Sequence, residues 1–302
     1  MEKIGYYAVI GLLRALAYLP FGVLYLLSDI ICFFVHDVFH YRVKMVRKNL
    51  SLAFPDTNQD DIHQLEIKFY RHLCDIMVET VKLLHISDKD MHRRFVVTGM
   101  KLPEKAALEG RPVFLLIGHM GNWEWMQECA NRVEAPSVHS AIYHPLHSNI
   151  FDRVMKTIRL KRCPQATLIP MKKTARALIR IHKENDTFSC VFITDQRPYR
   201  HDLKHWMTFL NQDTPYFVGA EEIGRHVNAK LLTARITKPR RGHYRVDLLD
   251  IQPPEESIPS KDNYPYMEMF MHLLEQNIKE QPELYLWTHN RWRYQRTPAN
   301  CQ

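Results

Sequence analysis

A buried strand that runs into a histidine between two glycines constrains this chain more than any other stretch. Val113–Ile117 is continuously apolar and rich in β-branched and aromatic side chains, which is typical of a buried strand. Gly118 and Gly121 then break the pattern, and the following residues are helix-compatible. This order predicts that His119 lies at the carboxyl end of the strand, where α/β sheets usually bind ligands. Glu124 falls in the first helical turn, where a negative charge is favourable.

His119 and Glu124 together predict an acid–base pair. A neutral imidazole can take a proton from an alcohol near pH 7. A carboxylate on the other ring nitrogen would fix the tautomer and stabilise the imidazolium. A structural histidine followed by an ordinary N-terminal helix glutamate is an equally open interpretation. We expect no metal, because no third His or Cys ligand follows at a recognisable spacing.

The composition favours a sizeable core and an anionic partner. The chain has 302 residues, of which 46% are hydrophobic, and a formal net charge of +8. Such a charge suits nucleic acid, an anionic membrane surface, a phosphorylated lipid or an acidic carrier protein. Six cysteines are scattered without a CxxC pair. They predict reduced thiols in a protein that faces the cytosol, not a disulfide framework.

Residues 1–40 are predicted to form a membrane anchor. The segment is strongly apolar, but Arg14, Pro20 and Asp29 interrupt it. Its longest uncharged run, 15–28, is shorter than the roughly 20 residues that a spanning helix needs. We therefore expect one helix or a helical hairpin that lies in one leaflet. A buried core helix is the alternative.

A basic cluster follows the anchor and favours the cytoplasmic side of a membrane. Arg42, Lys44, Arg47 and Lys48 crowd into one turn and a half, which suits anionic headgroups. Residues 41–302 are predicted to form the remaining domain.

A second apolar strand, residues 187–194, also ends in polar side chains, Asp195-Gln196-Arg197. Strands and helices alternate through this part of the chain, and two more strands are expected at 230–236 and 243–249. This alternation predicts an α/β fold with a mixed, mostly parallel sheet flanked by helices. Because the carboxyl ends of parallel strands share one edge, His119 and Asp195 should line one crevice.

Two other features remain open. The C-terminal segment from Trp287 interleaves aromatic residues with His289, Arg291 and further arginines, which suits phosphate binding or a membrane interface. A solvated basic tail is the alternative. Glu79 lies near the apolar stripe of a long amphipathic helix, where it is either the partner of a buried arginine or simply at the edge of the stripe.

Taken together, these segments resemble the bacterial lipid A biosynthesis (late) acyltransferases, the lauroyl/myristoyl acyltransferase family. The resemblance covers nearly the whole chain. It rests on the apolar N-terminus and on four motifs in order: Tyr41-Arg42…Asn49-Leu50…Phe54-Pro55, Gly118-His119-x-Gly-Asn-Trp-Glu124, Asp195-Gln196 and Trp287-x-His289-x-Arg291-Trp292.

The resemblance implies an acyltransferase of the glycerolipid-acyltransferase type on the cytoplasmic face of the bacterial inner membrane. It implies acyl carrier protein or coenzyme A as the acyl donor, a phosphorylated glycolipid as acceptor and no other cofactor. By position, His119 matches the family's base and Glu124 its acidic partner, and Arg159 matches a catalytic arginine. Arg162 is the other candidate for that arginine, because Cys163-Pro164 stands where the family usually has glycine. We assign substrate binding to Asn122, Trp123, Arg162, Asp195, Gln196, Arg197, His289 and Arg291.

The expected reaction is direct transfer of the acyl chain to the hydroxyl of a lipid A precursor. His119 would take the hydroxyl proton, and Arg159 with backbone N–H groups near Gly121-Asn122 would stabilise the oxyanion. No Ser or Cys lies in a nucleophile elbow, which favours direct transfer over an acyl-enzyme. Acylation of another lipid is the main alternative, and a membrane-bound binding protein with a dead site is a remote one. No nucleic-acid-binding motif is present, so we expect no nucleic-acid partner.

Overall fold

A computed structural model describes residues 2–135 and 138–296. Its centre is a seven-stranded sheet with the order β1-β9-β8-β2-β5-β3-β4, in which β8 and β9 are antiparallel and the other neighbours are parallel. The strands are β1 (Phe95–Thr98), β2 (Val113–Ile117), β3 (His139–Tyr143), β4 (Thr167–Pro170), β5 (Ser189–Ile193), the separate hairpin β6 (Trp206–Phe209) and β7 (Gln212–Pro215), β8 (Lys230–Arg240) and β9 (His243–Asp250). The predicted mixed, mostly parallel sheet is confirmed.

Helices cover the sheet. They are α1 (Glu2–Tyr18), α2 (Phe21–Cys32), α3 (Val43–Ala53), α4 (Gln59–Lys82), α5 (Asp88–Arg94), α6 (Lys101–Leu108), α7 (Asn149–Arg159), α8 (Thr174–Glu184), α9 (Gly219–His226) and α10 (Pro265–Glu280). A π-helical segment, Phe33–Val38, continues α2. The helix predicted after His119 is a 3₁₀ helix, Trp123–Arg132.

Burial explains why β2 is central. All five of its side chains are buried, and it pairs with β5 on one side and β8 on the other. A strand covered on both faces needs an apolar residue at every position, which is the pattern of 113–117.

The N-terminal segment packs on the rest of the protein along one side and exposes apolar side chains on the other. Lys82 of α4 donates to the carbonyls of Ala17 and Leu19 at 2.7 and 2.8 Å, which satisfies the end of α1 before Pro20 turns the chain into α2. The exposed large apolar residues of this segment are Ile4, Tyr7, Leu12, Tyr18, Val23, Leu26, Ile30, Phe33, Phe34, Val38 and Phe39.

The stretch Phe21–Val38 is long and apolar enough to cross a membrane by length and composition, with a mean hydropathy of 1.7 over 18 residues. Only 22% of it is buried. An apolar N-terminal helical segment is therefore present as predicted. The boundary at residue 40 stays a prediction.

The turn after β2 depends on Gly121. Its φ is +58°, a region that L side chains rarely adopt, and an added Cβ would overlap Cγ2 of Ile236 in β8. We expect Gly121→Ala to lower the free energy of unfolding by about 1–3 kcal/mol. Gly219→Ala is the control, because its Cβ would meet no atom within 4 Å at the start of α9.

Thermal unfolding of the detergent-solubilised protein measures both changes. Gly219→Ala should leave stability unchanged or raise it slightly. Equal stabilities of the two variants would contradict the strained turn.

Candidate active site

The strand register brings His119 and Asp195 together. Ile117 of β2 pairs with Ile193 of β5, and the two polar residues lie two positions beyond this pair. His119 Nδ1 is 2.7 Å from Asp195 Oδ1, and the His119 backbone N–H donates to Asp195 Oδ2 at 3.1 Å. The carboxylate therefore fixes both the backbone and the ring of the histidine, and the predicted common edge is observed.

Asp195 is held in its charged form. It is 1% exposed. Burial alone would raise its pKa, but the charge and hydrogen bonds of His119 outweigh burial and hold the pKa below its ordinary value. Since Asp195 accepts from Nδ1, the Nε2 atom of His119 is left as the basic nitrogen. The amide nitrogen of Gln196 lies 3.4 Å from Nε2, and the Trp123 ring packs edge-on against the imidazole.

The sequence led us to expect that Glu124 orients His119, but in the structure it does not. Its carboxylate accepts two hydrogen bonds from Arg159, from Nε at 2.8 Å and from Nη2 at 2.6 Å. Burial would lower the pKa of Arg159, but Glu124 holds it above its ordinary value. The predicted dyad is thus replaced by two pairs, His119–Asp195 and Glu124–Arg159. Sequence spacing alone could not show which of Glu124 and Asp195 is the carboxylate partner of His119.

Arg162 lies in a structural ion-pair cluster. Its guanidinium donates twice to Glu128, at 3.0 Å each, and once to Asp88 at the start of α5. Glu128 is 1% exposed, so this pair joins the 3₁₀ helix to the segment after α7. The assignment of Arg162 to substrate binding does not fit this position, and Arg159 is the arginine beside His119 and Glu124.

Asn122 was assigned to substrate binding from the sequence, but in the structure it lies in the core. It is fully buried, its Oδ1 caps the 3₁₀ helix at Trp125 N, and its amide nitrogen donates to Glu79 at 2.7 Å. Glu79 also accepts from the hydroxyls of Tyr25 and Tyr244. The buried Glu79 carboxylate therefore links α2, α4, β9 and the turn that carries His119, a role that its place near the apolar stripe did not reveal.

Burial raises the pKa of Glu79 to about 7, and the nearby Asp75 adds to this rise, while Lys238 and the tyrosine hydroxyls oppose it. Among the residues that the structure describes, the side chain of Glu79 is bonded to Tyr25, Asn122 and Tyr244 and to no arginine.

The C-terminal segment packs behind the catalytic turn. Gly121 N–H donates to Leu284 O at 3.0 Å, and Leu286 N–H donates to His119 O at 3.1 Å. The Gly121 N–H is therefore engaged, which contradicts its expected role as an oxyanion donor.

The first family motif holds this segment in turn. Arg42 donates to the carbonyl of Thr288, and Asn49 donates to the carbonyls of Trp287 and His289. The basic cluster after the anchor was expected at headgroups, and the exposed Arg42 of this cluster also binds the backbone of the C-terminal segment.

Arg291, which was assigned to substrate binding, is buried. It is 2% exposed, and its three guanidinium nitrogens have no hydrogen-bond partner among the described residues. Burial lowers its pKa, whereas the neighbouring Tyr285 and Asp195 oppose that effect. The negative charge of Asp195 favours the protonated guanidinium, although no hydrogen bond joins the two side chains among the described residues. His289, two residues earlier, has its pKa lowered by burial to about 4 and is neutral at pH 7.

An elongated cleft of about 570 Å³ opens beside His119. Seven of the predicted site residues line it: His119, Trp123, Glu124, Arg159, Gln196, Arg197 and His289. Its apolar wall comes mainly from the 3₁₀ helix, β3 and β5, and includes Trp123, Met126, Ile142, Val191 and Ile193. Within the described ranges, no group of three or more His, Cys, Asp or Glu side chains could hold a metal ion.

A histidine held by a buried carboxylate beside a largely apolar cleft is an arrangement suited to acid–base chemistry on an apolar substrate. The sequence profile of the family described as bacterial lipid A biosynthesis acyltransferase matches residues 1–294. The chain belongs to this family, and it is an acyltransferase.

Two relatives with low sequence identity to the chain also support its assignment to this family. The chain is 24% identical over 284 residues to the lipid A biosynthesis palmitoleoyltransferase of Escherichia coli (strain K12), covering 94% of this chain and 89% of the relative. The same identity and coverage are found with the lipid A biosynthesis acyltransferase of Shigella flexneri.

The two arginines near the cleft should respond differently to truncation. Arg159→Ala removes a cation from the cleft and leaves Glu124 unpaired there, so we expect the rate of acyl transfer to fall by at least about 10². Arg162→Ala leaves buried Glu128 without its main partner and should cost about 3–5 kcal/mol of stability, with transfer per folded molecule retained.

Transfer rates normalised to folded protein, together with thermal unfolding, separate the two effects. A normal rate in Arg159→Ala with loss of transfer in folded Arg162→Ala would reverse the assignment.

Proposed function

We propose that this protein transfers a fatty acyl chain from an acyl carrier protein thioester to a hydroxyl of a lipid A precursor at the cytoplasmic face of the inner membrane. The observation that carries the proposal is the His119–Asp195 pair at the mouth of an apolar cleft. Family membership supports lipid A acylation, and the exposed apolar N-terminal helices support a membrane location. The net positive charge suits both a phosphorylated acceptor and an acidic carrier.

His119 acts as the general base in this mechanism. Its Nε2 takes the proton of the acceptor hydroxyl while the oxygen attacks the thioester carbonyl. The tetrahedral intermediate then expels the thiolate, which receives the proton from the imidazolium. Asp195 stabilises that imidazolium, since its buried carboxylate stays charged throughout. The products are the acyl ester and the free thiol of the donor, and no other cofactor takes part.

The side chains of Gln196 and Arg159 are the oxyanion donors of this proposal. The Gln196 amide nitrogen lies beside His119 Nε2, where the reacting carbonyl must come. Arg159 uses Nε and Nη2 on Glu124, so this pairing aims the guanidinium while Nη1 is left for substrate. Each such donor is worth roughly 10²–10³ in rate. Glu124 thus acts through Arg159.

The acyl chain lies along one face of β5. Ser189, Val191 and Ile193 alternate toward the cleft, whereas Cys190 and Phe192 are buried on the opposite face. At roughly 3.3 Å per residue, the cleft-facing residues span about 13 Å. Ile193 lies near His119, so a thioester at the histidine places the chain over Val191 and its end toward Ser189.

A polar pair closes the far end of this surface. His139 Nδ1 lies 2.8 Å from Ser189 Oγ, and both side chains line the cleft. Burial lowers the pKa of His139, so the ring is neutral at pH 7. An apolar chain gains nothing by passing a satisfied polar pair, so His139 and Ser189 set the longest chain that fits.

The wild-type protein, given lipid A precursor and either acyl carrier protein or coenzyme A thioester, should form the acyl ester with a preference for the carrier protein. His119→Ala and Asp195→Asn should each lower the rate by about 10²–10⁴. Asp186→Asn, the same change at an exposed turn, is the control and should not affect the rate.

Mass spectrometry of the lipid products measures the transfer, with a lysophospholipid offered in parallel as the competing acceptor. Near wild-type rates in Asp195→Asn would rule out the His119–Asp195 base. Faster acylation of the lysophospholipid would refute the lipid A acceptor, and a covalent acyl-enzyme would refute direct transfer.

A larger side chain halfway along the cleft should shorten the acyl chain that the enzyme prefers. Ala141 in β3 pairs with Val191 and lines the cleft. In Ala141→Leu, the ratio of kcat/KM for long over short acyl donors should fall by about 10–200-fold, because added methyl groups exclude the chain end. The short donor is the internal control. An equal loss with every donor would show that the acyl chain lies elsewhere.

A further inference from the structure

A second large cavity lies beside the N-terminal helices, apart from the candidate active site. Its volume is about 810 Å³, and it shares no lining residue with the cleft at His119. Four parts of the chain form its walls: α2 with its π-helical continuation, the middle of α4, the end of β8 with the turn that follows it, and Glu283 after α10. The mechanism above does not use this cavity.

Some charged side chains of the cavity wall form ion pairs, whereas others form none with the described residues. Asp75 accepts from Lys238 and Arg241, Arg241 also pairs with Asp29, and Asp37 accepts from His36. Glu283 is the fourth carboxylate of the wall. Three cations, Lys68, Arg71 and Arg240, make no side-chain hydrogen bond or salt bridge with the described part of the chain, and all three are exposed.

A buried polar atom in the wall is also unsatisfied. His72 is 2% exposed, and its Nε2 has no hydrogen-bond partner among the described residues, while its Nδ1 lies 3.2 Å from Lys238 Nζ. A buried ring nitrogen without a partner is costly unless a ligand or water satisfies it. The cavity therefore offers three cations to an anionic group, beside a buried histidine in its wall.

The position of the cavity identifies the source of that group. Phe33 lines the cavity and is 55% exposed, and Ile30, Phe34 and Val38 expose apolar side chains on the same segment. A helix that rests in the membrane interface on this face would hold the cations at headgroup depth.

We propose that this cavity binds the phosphate of an anionic phospholipid whose acyl chains lie along the exposed face of α2. Lys68, Arg71 and Arg240 contact the phosphate. The site holds a membrane lipid that is not a substrate and fixes how the protein sits on the bilayer. The inference rests on the membrane location in the proposed function, but not on the acyl transfer itself.

Soluble short-chain lipids test the site on the full-length protein in detergent. Dihexanoylphosphatidylglycerol should bind saturably, dihexanoylphosphatidylcholine should bind much more weakly, and inorganic phosphate should compete. Arg71→Gln with Arg240→Gln should weaken phosphatidylglycerol binding by about 25-fold, roughly fivefold for each cation. Arg71→Lys with Arg240→Lys keeps the charge and should restore most of the binding.

Arg176→Gln with Arg180→Gln is the matched control, because both arginines are exposed on α8 and lie outside the cavity. Binding in this control should stay within about twofold of wild type. Equal losses in the two double variants would show a general charge effect and overturn the site. Equal affinity for the two short-chain lipids would overturn it as well.

Vesicles of phosphatidylcholine with and without phosphatidylglycerol separate a lipid site from a free-anion site. The Arg71/Arg240 glutamine variant should lose the preference for phosphatidylglycerol vesicles. If it keeps that preference while phosphate binding is lost, the cavity binds a free anion and the lipid assignment is wrong. Binding is measured here without acyl transfer, so the result is independent of whether the proposed reaction is correct.

Discussion

The hydrogen bond between His119 and Asp195 is the interaction on which the rest of the site depends. It exists because two neighbouring parallel strands end in register and each continues for two residues in the same direction. The sheet fixes the backbones, the backbone N–H of His119 adds a second contact to the same carboxylate, and burial strengthens both. Gln196 then falls beside the free ring nitrogen as a direct result of its place after Asp195.

The arginines around this hydrogen bond have different roles. The buried Arg291 helps to keep the pKa of Asp195 low, Arg159 pairs with Glu124 at the cleft, and Arg162 joins the 3₁₀ helix to the segment after α7. The same residue type serves three purposes, and the partner of each arginine differs. An enzyme that works on apolar chains needs such compensation, because unpaired charge beside an apolar cleft would be costly.

Much of this could be predicted from the sequence. The apolar runs and their alternation gave the mixed sheet, the N-terminal apolar helix and the shared edge of His119 with Asp195. The partner of His119 could not be predicted, because Glu124 is close in sequence whereas Asp195 becomes adjacent only through strand register. Asn122 and Arg291 were assigned to substrate binding, and their burial could not be predicted because a polar residue in a motif does not show how deeply it lies. Glu79 was missed because its partners come from three separate segments.

The C-terminal segment behind the catalytic turn has a consequence for how the protein folds. Asn49 reaches carbonyls 238 and 240 positions later in the chain, and His119 is bonded across to Leu286. Contacts of such long range form late, since a large loop must close first. The apolar N-terminal helices are synthesised first, so the nascent chain can reach a membrane well before its active site is complete. Membrane attachment and catalytic competence are thus separated in time by most of the length of the chain.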